Sequence, residues 1–298
     1  MAIMNNIGKK IKDKLAELHG FDDFTIAFLP YKRSMWNSMA SVYEECDKAG
    51  AVAYILPLPY YLMPEKKVVR DDFENALPID LLGKITFDFL VIHYPYDHNN
   101  KVTGMLPEYH TAELKKYGKV IYIPYSCTNM RQLRVQPGIA NVDYAFLGSE
   151  GEAEAFINEW AEMGVDFKGR VFGYGSPKMD VKIGEGKENV TLVINSLGPY
   201  LASPLRHIAM YKFHIEQELD QGRRVIFRPH PLLNQTIKAM RPDTAEIYNR
   251  FIMWVKENAK VDESEDLESA LNEADYLISD PSSVLEMWQA TGKPYKVI

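Results

Sequence analysis

The sequence predicts an α/β protein of two domains, and three observations support that prediction. Short runs of β-branched and aromatic residues alternate with segments of helical spacing. A charged stretch that contains glycines, KMDVKIGEGKEN at 178–189, interrupts the alternation. The alternation then starts again and continues to residue 298. Near-continuous apolar strands separated by helices are typical of a parallel sheet covered on both faces.

The first half of the chain contains six predicted strands and two well-defined helices. The helices are predicted at 35–50 and 151–164, where apolar residues recur at helical spacing. The strands are predicted at 24–30, 52–59, 87–93, 119–125, 143–148 and 170–175.

The second half repeats this pattern after the charged linker. It contains strands at 189–195, 223–229, 275–279 and 294–298, and helices at 204–221, 235–258 and 265–274. A short helix follows residue 279, and Pro242 is expected to break the helix at 235–258. We therefore predict two Rossmann-like domains, 1–178 and 179–298, that face a cleft. Open α/β sheets bind ligands beyond the carboxyl ends of their strands.

Composition and charge exclude several classes of function. A net charge of −7 argues against a nucleic-acid partner, since duplex binders present a basic face. Two cysteines give neither a disulfide framework nor a paired metal spacing. No apolar run approaches the roughly 20 residues of a membrane span, and the N-terminus lacks the apolar core of a signal peptide. These features predict a cytoplasmic protein.

The first helical segment, at 7–18, is both basic and amphipathic. Ile7, Ile11, Leu15 and Leu18 share one face, and lysines cover the rest. Such a helix can lie on an anionic membrane surface. A helix packed on the core with a solvated lysine face gives the same pattern, so peripheral contact with the inner face of the cell membrane remains open.

The stretch ISDPSSVLEMWQATGKP at 278–294 places polar residues at the end of a predicted strand. Asp280 or Ser279 can cap the following helix, and Pro281 fits its first position. Ser282 and Ser283 then bring hydroxyls and backbone N–H groups to the first turn, where an anion is favoured. An ordinary capped helix has the same sequence, so both interpretations stay open.

The stretch RRVIFRPHPLL at 223–233 ends another predicted strand. Pro229 and Pro231 stiffen the backbone around His230 and fix the direction of its imidazole. Arg228 offers a planar fork that suits phosphate oxygens, and a histidine exchanges protons near neutrality. His230 can equally be a satisfied core histidine. Because the two stretches end strands of one predicted sheet, together they favour a diphosphate site.

These motifs resemble the CDP-glycerol glycerophosphotransferase family, the teichoic-acid polymerases and primases. RPHPLL, MRP at 240–242 and SDPSSVLEMWQATGKP resemble its C-terminal half. The resemblance extends to the N-terminal stretches AFLPYKRSMWNSM (27–39), PLPYY (57–61), HYPYD (93–97) and GYGSPKMD (173–180). It implies a GT-B-type fold and transfer of phosphoglycerol from CDP-glycerol to a hydroxyl, with release of CMP and without a metal or other cofactor.

The resemblance also implies roles for individual residues. Arg228 and His230 would contact the donor diphosphate, together with Asp280, Ser282 and Ser283. Glu286 would reach a ribose hydroxyl of the nucleotide. The loop residues Gly173, Gly175 and Ser176 would lie near the donor.

The sequence departs from the family at the expected catalytic base. The family's tryptophan-histidine-glycine-threonine motif falls on IPYSCTN at 123–129, which has no histidine. His93, with Asp97 as its orienting partner, is the nearest replacement, although it can also be a loop histidine. The acceptor side is predicted at Tyr31, Lys32, Arg33 and Trp36, where a Lys–Arg pair beside aromatic rings suits a sugar or phosphorylated group. A solvated turn with Trp36 in the core has the same sequence, so both interpretations stay open. The other histidines show no metal-ligand spacing.

We therefore expect a transferase that moves glycerol phosphate, or a related polyol phosphate, from a CDP-activated donor to a glycan or lipid-linked acceptor. Two alternatives stay open. One is a nucleotide-sugar glycosyltransferase or epimerase of the same fold, and the other is a CDP-binding module without activity. The sequence also leaves the oligomeric state open, a homo-oligomer included.

Overall fold

The computed structural model describes residues 6–128 and 130–298. They form two compact units, one within residues 1–181 and one at 182–298. Each unit is built on its own parallel sheet, so the predicted α/β class with two Rossmann-like sheets is confirmed. None of the described helices is long and apolar enough to cross a bilayer.

The first unit is organised around a parallel sheet in the strand order β2-β1-β5-β7-β8-β9, with a small antiparallel sheet, β4-β3-β6, beside it. Its strands are β1 Thr25–Phe28, β2 Val52–Ile55, β3 Tyr60–Leu62, β4 Lys67–Val69, β5 Phe89–Ile92, β6 Thr103–Met105, β7 Lys119–Tyr122, β8 Tyr144–Leu147 and β9 Arg170–Gly173. Its helices are α1 Ile7–His19, α2 Ala40–Lys48, α3 Thr111–Leu114, α4 Arg131–Arg134 and α5 Glu150–Glu162.

Both faces of the large sheet are buried. Ala27 of β1 belongs to the core on one face, while Ile26 and Phe28 belong to the core on the other. Successive side chains of a strand point to opposite faces, so a strand covered on both sides is apolar throughout. The sequence patterns do not predict β3, β4 or β6, because a strand of three residues is too short to show a period.

The predicted helix at 35–50 forms only in part. Residues Arg33–Ser38 are a 3₁₀ segment, and α2 begins at Ala40. The Ser38 hydroxyl donates to the carbonyl of Met35 and lies 3.2 Å from the ring of His93. The contact with His93, which directly follows β5, therefore holds residues 33–38 in the 3₁₀ conformation, although their apolar residues have helical spacing.

Helix α1 packs on the core of the first unit. Ile7, Ile11 and Leu15 are buried, and Leu18 packs against the same cluster. The apolar face that suggested membrane contact is thus occupied by protein. Three lysines of α1 pair with nearby acids: Lys9 with Asp13, Lys12 with Asp22 and Lys14 with Glu17. The structure gives no basis for insertion of this helix into a membrane.

The N-terminus of α1 is capped by Asp180, which lies at the C-terminal end of the first unit in sequence. The Asp180 carboxylate accepts hydrogen bonds from the backbone N–H groups of Ile7 and Gly8, at 2.8 and 2.6 Å, and from the Ser41 hydroxyl at 2.8 Å. A carboxylate at a helix N-terminus satisfies open donors and interacts favourably with the helix dipole. One side chain thereby joins α1, α2 and the segment after β9.

The second unit has one parallel sheet in the order β12-β11-β10-β13-β14. The strands are β10 Val190–Ile194, β11 Arg224–Arg228, β12 Lys260–Val261, β13 Tyr276–Ser279 and β14 Tyr295–Val297. The helices are α6 Leu197–Ala202, α7 Pro204–Asp220, α8 Leu233–Met240, α9 Ala245–Asn258, α10 Leu267–Glu273 and α11 Ser283–Gln289. A 3₁₀ turn, Pro242–Thr244, separates α8 from α9, at the break that Pro242 predicts.

Candidate functional site

The sheet of the second unit changes direction at its central strand. From β10 the chain builds outward to β11 and β12, then returns to the other side of β10 for β13 and β14. All four pairings are parallel, so the carboxyl ends of the strands share one edge. In open α/β sheets such a point of reversal is where ligands bind. Here it lies between β10 and β13.

Two buried side chains join the loops at this edge. The Asn195 amide oxygen, just after β10, accepts from the backbone N–H of His230 at 2.9 Å. The Asp280 carboxylate, just after β13, accepts from the backbone N–H of Ser196 at 2.8 Å. Asn195 is 3% exposed and Asp280 is 1% exposed. The two predicted motifs therefore meet through Asn195 and Ser196, which the sequence analysis missed. Their position directly after an apolar strand is the signal that could have found them.

The orientation of the His230 ring is fixed by its own loop. The Nδ1 atom accepts from the backbone N–H of Leu232 at 3.1 Å, so the proton of the neutral ring sits on Nε2. The residue is half-buried. An Nε2–H held in this way is a hydrogen-bond donor of defined direction, which is what an anionic ligand requires.

The cap of α11 differs from the predicted one. Ser282 is the N-cap, and its hydroxyl accepts from the backbone N–H of Leu285 at 3.2 Å. Pro281 therefore lies before the helix, and Asp280 serves the β10 loop. Ser283, the first helical residue, and Glu286, one turn later, are both half-buried. Because α11 has only seven residues, little of a dipole effect is expected from it.

Arg228 is held inside the second unit. Its guanidinium pairs with Asp262 and donates to the carbonyl oxygen of Ser264 at 2.8 Å. Burial raises the pKa of Asp262, but hydrogen bonds from Ser264 and the charge of Arg228 outweigh it and lower that pKa. Arg228 is 5% exposed. This geometry argues against the predicted contact with a donor diphosphate, because the guanidinium is already paired. Arg228 instead positions the strand that ends at His230.

His207 lies beneath the same edge, at the start of α7. It is 4% exposed, and its ring packs against Tyr211 at 4.5 Å and Tyr200 at 5.7 Å between centroids. Burial lowers its pKa, while the charge of Asp280 acts in the opposite sense. Within the described chain neither ring nitrogen has a hydrogen-bond partner. Sequence patterns assign His207 no role, because only the fold brings it near Asp280.

His93, the predicted base, is sealed in the first unit. Its Nε2 accepts from the backbone N–H of Tyr31 at 3.1 Å. Its Nδ1 must donate to Ser38, because the hydroxyl hydrogen of Ser38 goes to Met35. Both nitrogens are therefore used, and the residue is 0% exposed. Burial, helped by the charge of Lys178, lowers the pKa of His93 to about 3.

These facts argue against His93 as a general base. A base must reach the substrate and take up a proton near neutral pH. Asp97 does not orient His93 either. Its carboxylate accepts from the backbone N–H and the hydroxyl of Thr111, at the start of α3. His93 instead ties β5 to the loop after β1, across the point where the first sheet changes direction.

The four predicted acceptor residues lie close together after β1, but their contacts differ. Tyr31 is buried, and its hydroxyl donates to Thr103 at 3.1 Å. The Lys32 ammonium donates to the Tyr60 hydroxyl at 2.9 Å.

The remaining two are tied to nearby side chains and backbone. The backbone N–H of Arg33 donates to the Asp71 carboxylate at 2.9 Å. The ring of Trp36 packs against Phe28, Tyr43 and Phe73, so it belongs largely to the core.

The glycines of GYGSP are required by packing. A Cβ on Gly173 would lie 2.3 Å from the backbone of Ser149, before α5. Gly175 has φ +109°, and a Cβ there would lie 2.7 Å from Ile7 of α1. Ser176 is 7% exposed. All three residues belong to the first unit. The close contacts at Gly173 and Gly175 account for the two glycines, so no bound nucleotide is needed to explain them.

The described residues contain no group of His, Cys, Asp and Glu that could hold a metal ion. No family model matches the sequence, and no curated protein matches it. Similarity is found among solved structures. The Methanocaldococcus jannaschii UDP-GlcNAc 2-epimerase in complex with UDP-GlcNAc and UDP matches with a TM-score of 0.57 and 14% identity, over 91% of this chain and 83% of that chain.

Two further solved structures match over most of the chain. The UDP-GlcNAc 2-epimerase from Neisseria meningitidis has a TM-score of 0.54 and 13% identity, over 92% of this chain and 82% of that one. The wall teichoic acid polymerase TagF has a TM-score of 0.46 and 13% identity, over 99% of this chain and 79% of that one, and a TM-score this low supports no conclusion. The epimerase matches show a GT-B-type fold, as predicted, and at this identity they show the fold alone.

Proposed function

We propose that the chain is a GT-B-type transferase whose second unit binds the diphosphate of a nucleotide-activated donor at the carboxyl edge of β10, β11 and β13. One observation carries the proposal. Asn195 and Asp280, both almost fully buried, hydrogen-bond across the loops that bear His230 and Ser196. Buried polar side chains that hold surface loops in one conformation are typical of a preorganised binding site. The fixed Nε2–H of His230 is the donor for phosphate oxygens.

The matching epimerase structure bound to UDP-GlcNAc and UDP supports a nucleotide as the ligand class. The motifs RPHP and SDPSS favour CDP-glycerol as the donor, by resemblance to the glycerophosphotransferases. In the proposed reaction an acceptor hydroxyl attacks the phosphorus that carries glycerol. The bond from that phosphorus to the bridging oxygen breaks, CMP leaves, and the acceptor hydroxyl loses its proton.

Within this proposal the residues have separate tasks. His230 donates to the diphosphate and stabilises the negative charge that develops on CMP as it leaves. Asn195 and Arg228 hold the His230 loop in place. Lys32 and Arg33 are the proposed acceptor contacts. The acceptor proton goes to a group other than His93, since that ring is sealed. A nucleotide-activated donor is made in the cytoplasm, so the reaction is proposed to take place there.

Product analysis tests the proposal directly. The protein is incubated with CDP-glycerol, CDP-ribitol or a UDP-sugar, and the products are identified by mass spectrometry. Release of CMP with glycerol phosphate on an acceptor supports the proposed reaction. Binding of CDP is measured in parallel by calorimetry, with His230→Ala as the test variant and His214→Ala, on the same unit, as the control. Unchanged CDP affinity in His230→Ala would refute the proposed site.

A second candidate is a nucleotide-sugar epimerase or glycosyltransferase, which the epimerase matches favour. A glycosyltransferase would release UDP from a UDP-sugar, and a 2-epimerase would change the sugar of UDP-GlcNAc without any acceptor. Tight CDP binding without turnover of any donor would indicate a binding module that lacks activity.

A further inference from the structure

The large sheet of the first unit has its own point of reversal, between β1 and β5. From β1 the chain builds outward to β2, and it later returns to the other side of β1 to form β5. Both pairings are parallel, so the loops after β1 and β5 leave the same edge of the sheet. Open α/β sheets bind ligands at such a point. The first unit therefore has a position for a ligand that belongs to a different sheet from the proposed nucleotide site.

A cleft opens at this point. It encloses about 200 Å³, its open mouth included, and its walls come from the loop after β1, the loop between β5 and β6, and β6 itself. None of the described residues that line it carries a carboxylate, ammonium or guanidinium group. Aromatic walls without charged groups suit a neutral ligand. The rings and polar side chains of the lining are those of Tyr31, Tyr94, Tyr96, His98, Asn100 and Thr103.

Two hydroxyls in the wall of the cleft have unused hydrogen-bonding capacity. Tyr94 is 3% exposed, and within the described chain its hydroxyl has no hydrogen-bond partner. Thr103 is 5% exposed, and its hydroxyl oxygen accepts from the Tyr31 hydroxyl at 3.1 Å and from the Asn100 amide at 3.4 Å. The Thr103 hydrogen itself has no acceptor among residues 6–128 and 130–298. Both hydroxyls can therefore bond to a ligand that enters the cleft.

The mouth of the cleft is more exposed than its walls. His98 and Asn100 are exposed, and Tyr96 is half-buried. The rings of Tyr96 and His98 stand edge to face, 5.8 Å apart between centroids. The Asn100 amide oxygen accepts from the backbone N–H groups of Val102 and Thr103, at 2.7 and 2.8 Å, which fixes the direction of this side chain. Aromatic rings thus stand beside an oriented amide where the cleft meets solvent.

We propose that this cleft binds the edge of one neutral sugar residue and that this residue belongs to the acceptor. A sugar has an apolar C–H face, which suits the rings of Tyr96 and His98, and hydroxyls, which suit those of Tyr94 and Thr103. A phosphate would call for cationic donors, which the lining lacks. The space takes one edge of a sugar ring and no second residue. The assignment to the acceptor rests on the proposed transferase function, whereas binding of a sugar does not.

NMR titration with N-acetylglucosamine, and with its 6-phosphate as the charged counterpart, tests the cleft. Tyr94→Phe removes only the hydroxyl, and His98→Ala removes the exposed ring. Each is expected to raise the Kd for N-acetylglucosamine about fivefold, as for one neutral hydrogen bond or one ring contact. Tyr117→Phe, just before β7 at the opposite edge of the same sheet, should leave this Kd unchanged. Tyr94→Phe should resist urea as the wild type does, because its hydroxyl bonds to no described protein group.

Four results would overturn the proposal. They are wild-type protein that does not bind N-acetylglucosamine, tighter binding of the 6-phosphate than of the neutral sugar, a Kd that neither cleft variant changes, and loss of stability in Tyr94→Phe. The last would mean that the Tyr94 hydroxyl serves the fold and not a ligand.

Competition by nucleotides distinguishes the sources of the sugar. An acceptor sugar should stay bound when CDP or UDP-GlcNAc is added. Displacement by UDP-GlcNAc but not by CDP would mean that the sugar is that of the donor, and would refute its assignment to the acceptor. Displacement by CDP would make the cleft part of the nucleotide site. Binding of N-acetylglucosamine by a protein that binds no CDP would confirm the sugar site and refute the proposed transferase function.

Discussion

At the scale of single residues, Asn195 decides whether His230 is correctly placed. Replacing Asn195 with Ala removes the acceptor of the His230 backbone N–H and leaves that group buried without a partner. We expect the Kd for CDP to rise about tenfold and the free energy of unfolding to fall by about 1–3 kcal/mol. Calorimetry and urea unfolding measure the two effects. Asn258→Ala, at an exposed position on α9, should change neither. CDP affinity that survives in Asn195→Ala would separate this loop from the ligand.

His93 should make stability depend on pH. The pKa of His93 is about 3 in the folded protein, whereas the ordinary value for histidine is 6.5. Between these values the unfolded chain binds a proton that the folded chain does not. Stability therefore rises with pH and is lost as the pH falls from about 6.5 towards about 3. The contribution of His93 is at most about 1.4 kcal/mol per pH unit in that range.

The variant His93→Gln isolates this effect. At about pH 7.5 it should be less stable than the wild type, since Gln cannot reproduce both bonds of the ring. The stability difference should shrink by about 2 kcal/mol at about pH 5, because only the wild type loses stability through this group. Urea unfolding at the two pH values measures it. A difference independent of pH would show that His93 is not buried as a neutral ring. CDP affinity should be the same in both proteins.

At the scale of secondary-structure elements, the N-terminus of α1 depends on the carboxylate of Asp180, from the C-terminal end of the first unit in sequence. Asp180→Asn keeps the size of the side chain but removes the charge from the helix N-terminus. We expect the free energy of unfolding to fall by about 0.5–2 kcal/mol, as for other losses of a helix cap. Thermal or urea unfolding measures it against Asp13→Asn, an exposed acid on α1. Equal stability of the two variants would mean that Asp180 does not hold α1.

Sequence patterns predicted long elements well and short ones poorly. Strands such as β1 and β10 are apolar except for one threonine each, because both faces of their sheets are covered, and that pattern is visible in the sequence. The three residues of β3 form a strand only because β4 and β6 lie alongside. The start of α2 was displaced by the contact between Ser38 and His93, which involves two residues 55 positions apart.

At the scale of the whole molecule, the loops of the proposed nucleotide site should respond to CDP together, although they are distant in sequence. Hydrogen exchange should slow at 194–198, 228–232 and 279–285 when CDP is added, because these loops form the proposed nucleotide site. Ligands that bind the folded state selectively reduce opening of the segments they contact. Protection by CDP confined to the first unit would contradict the assignment of the nucleotide to the second.

The sequence by itself determined the α/β class and the polar stretches RPHP and SDPSS at strand ends. It could do so because strand burial, helix spacing and proline stiffness are local properties of the chain. Only the tertiary structure decided what these side chains do. The fold paired Arg228 with Asp262, sealed His93 beneath Tyr31 and linked His230 to Asn195. Burial and hydrogen-bond partners are set by residues distant in sequence. The sequence around a strand end therefore does not show which residue will hydrogen-bond to its polar side chains.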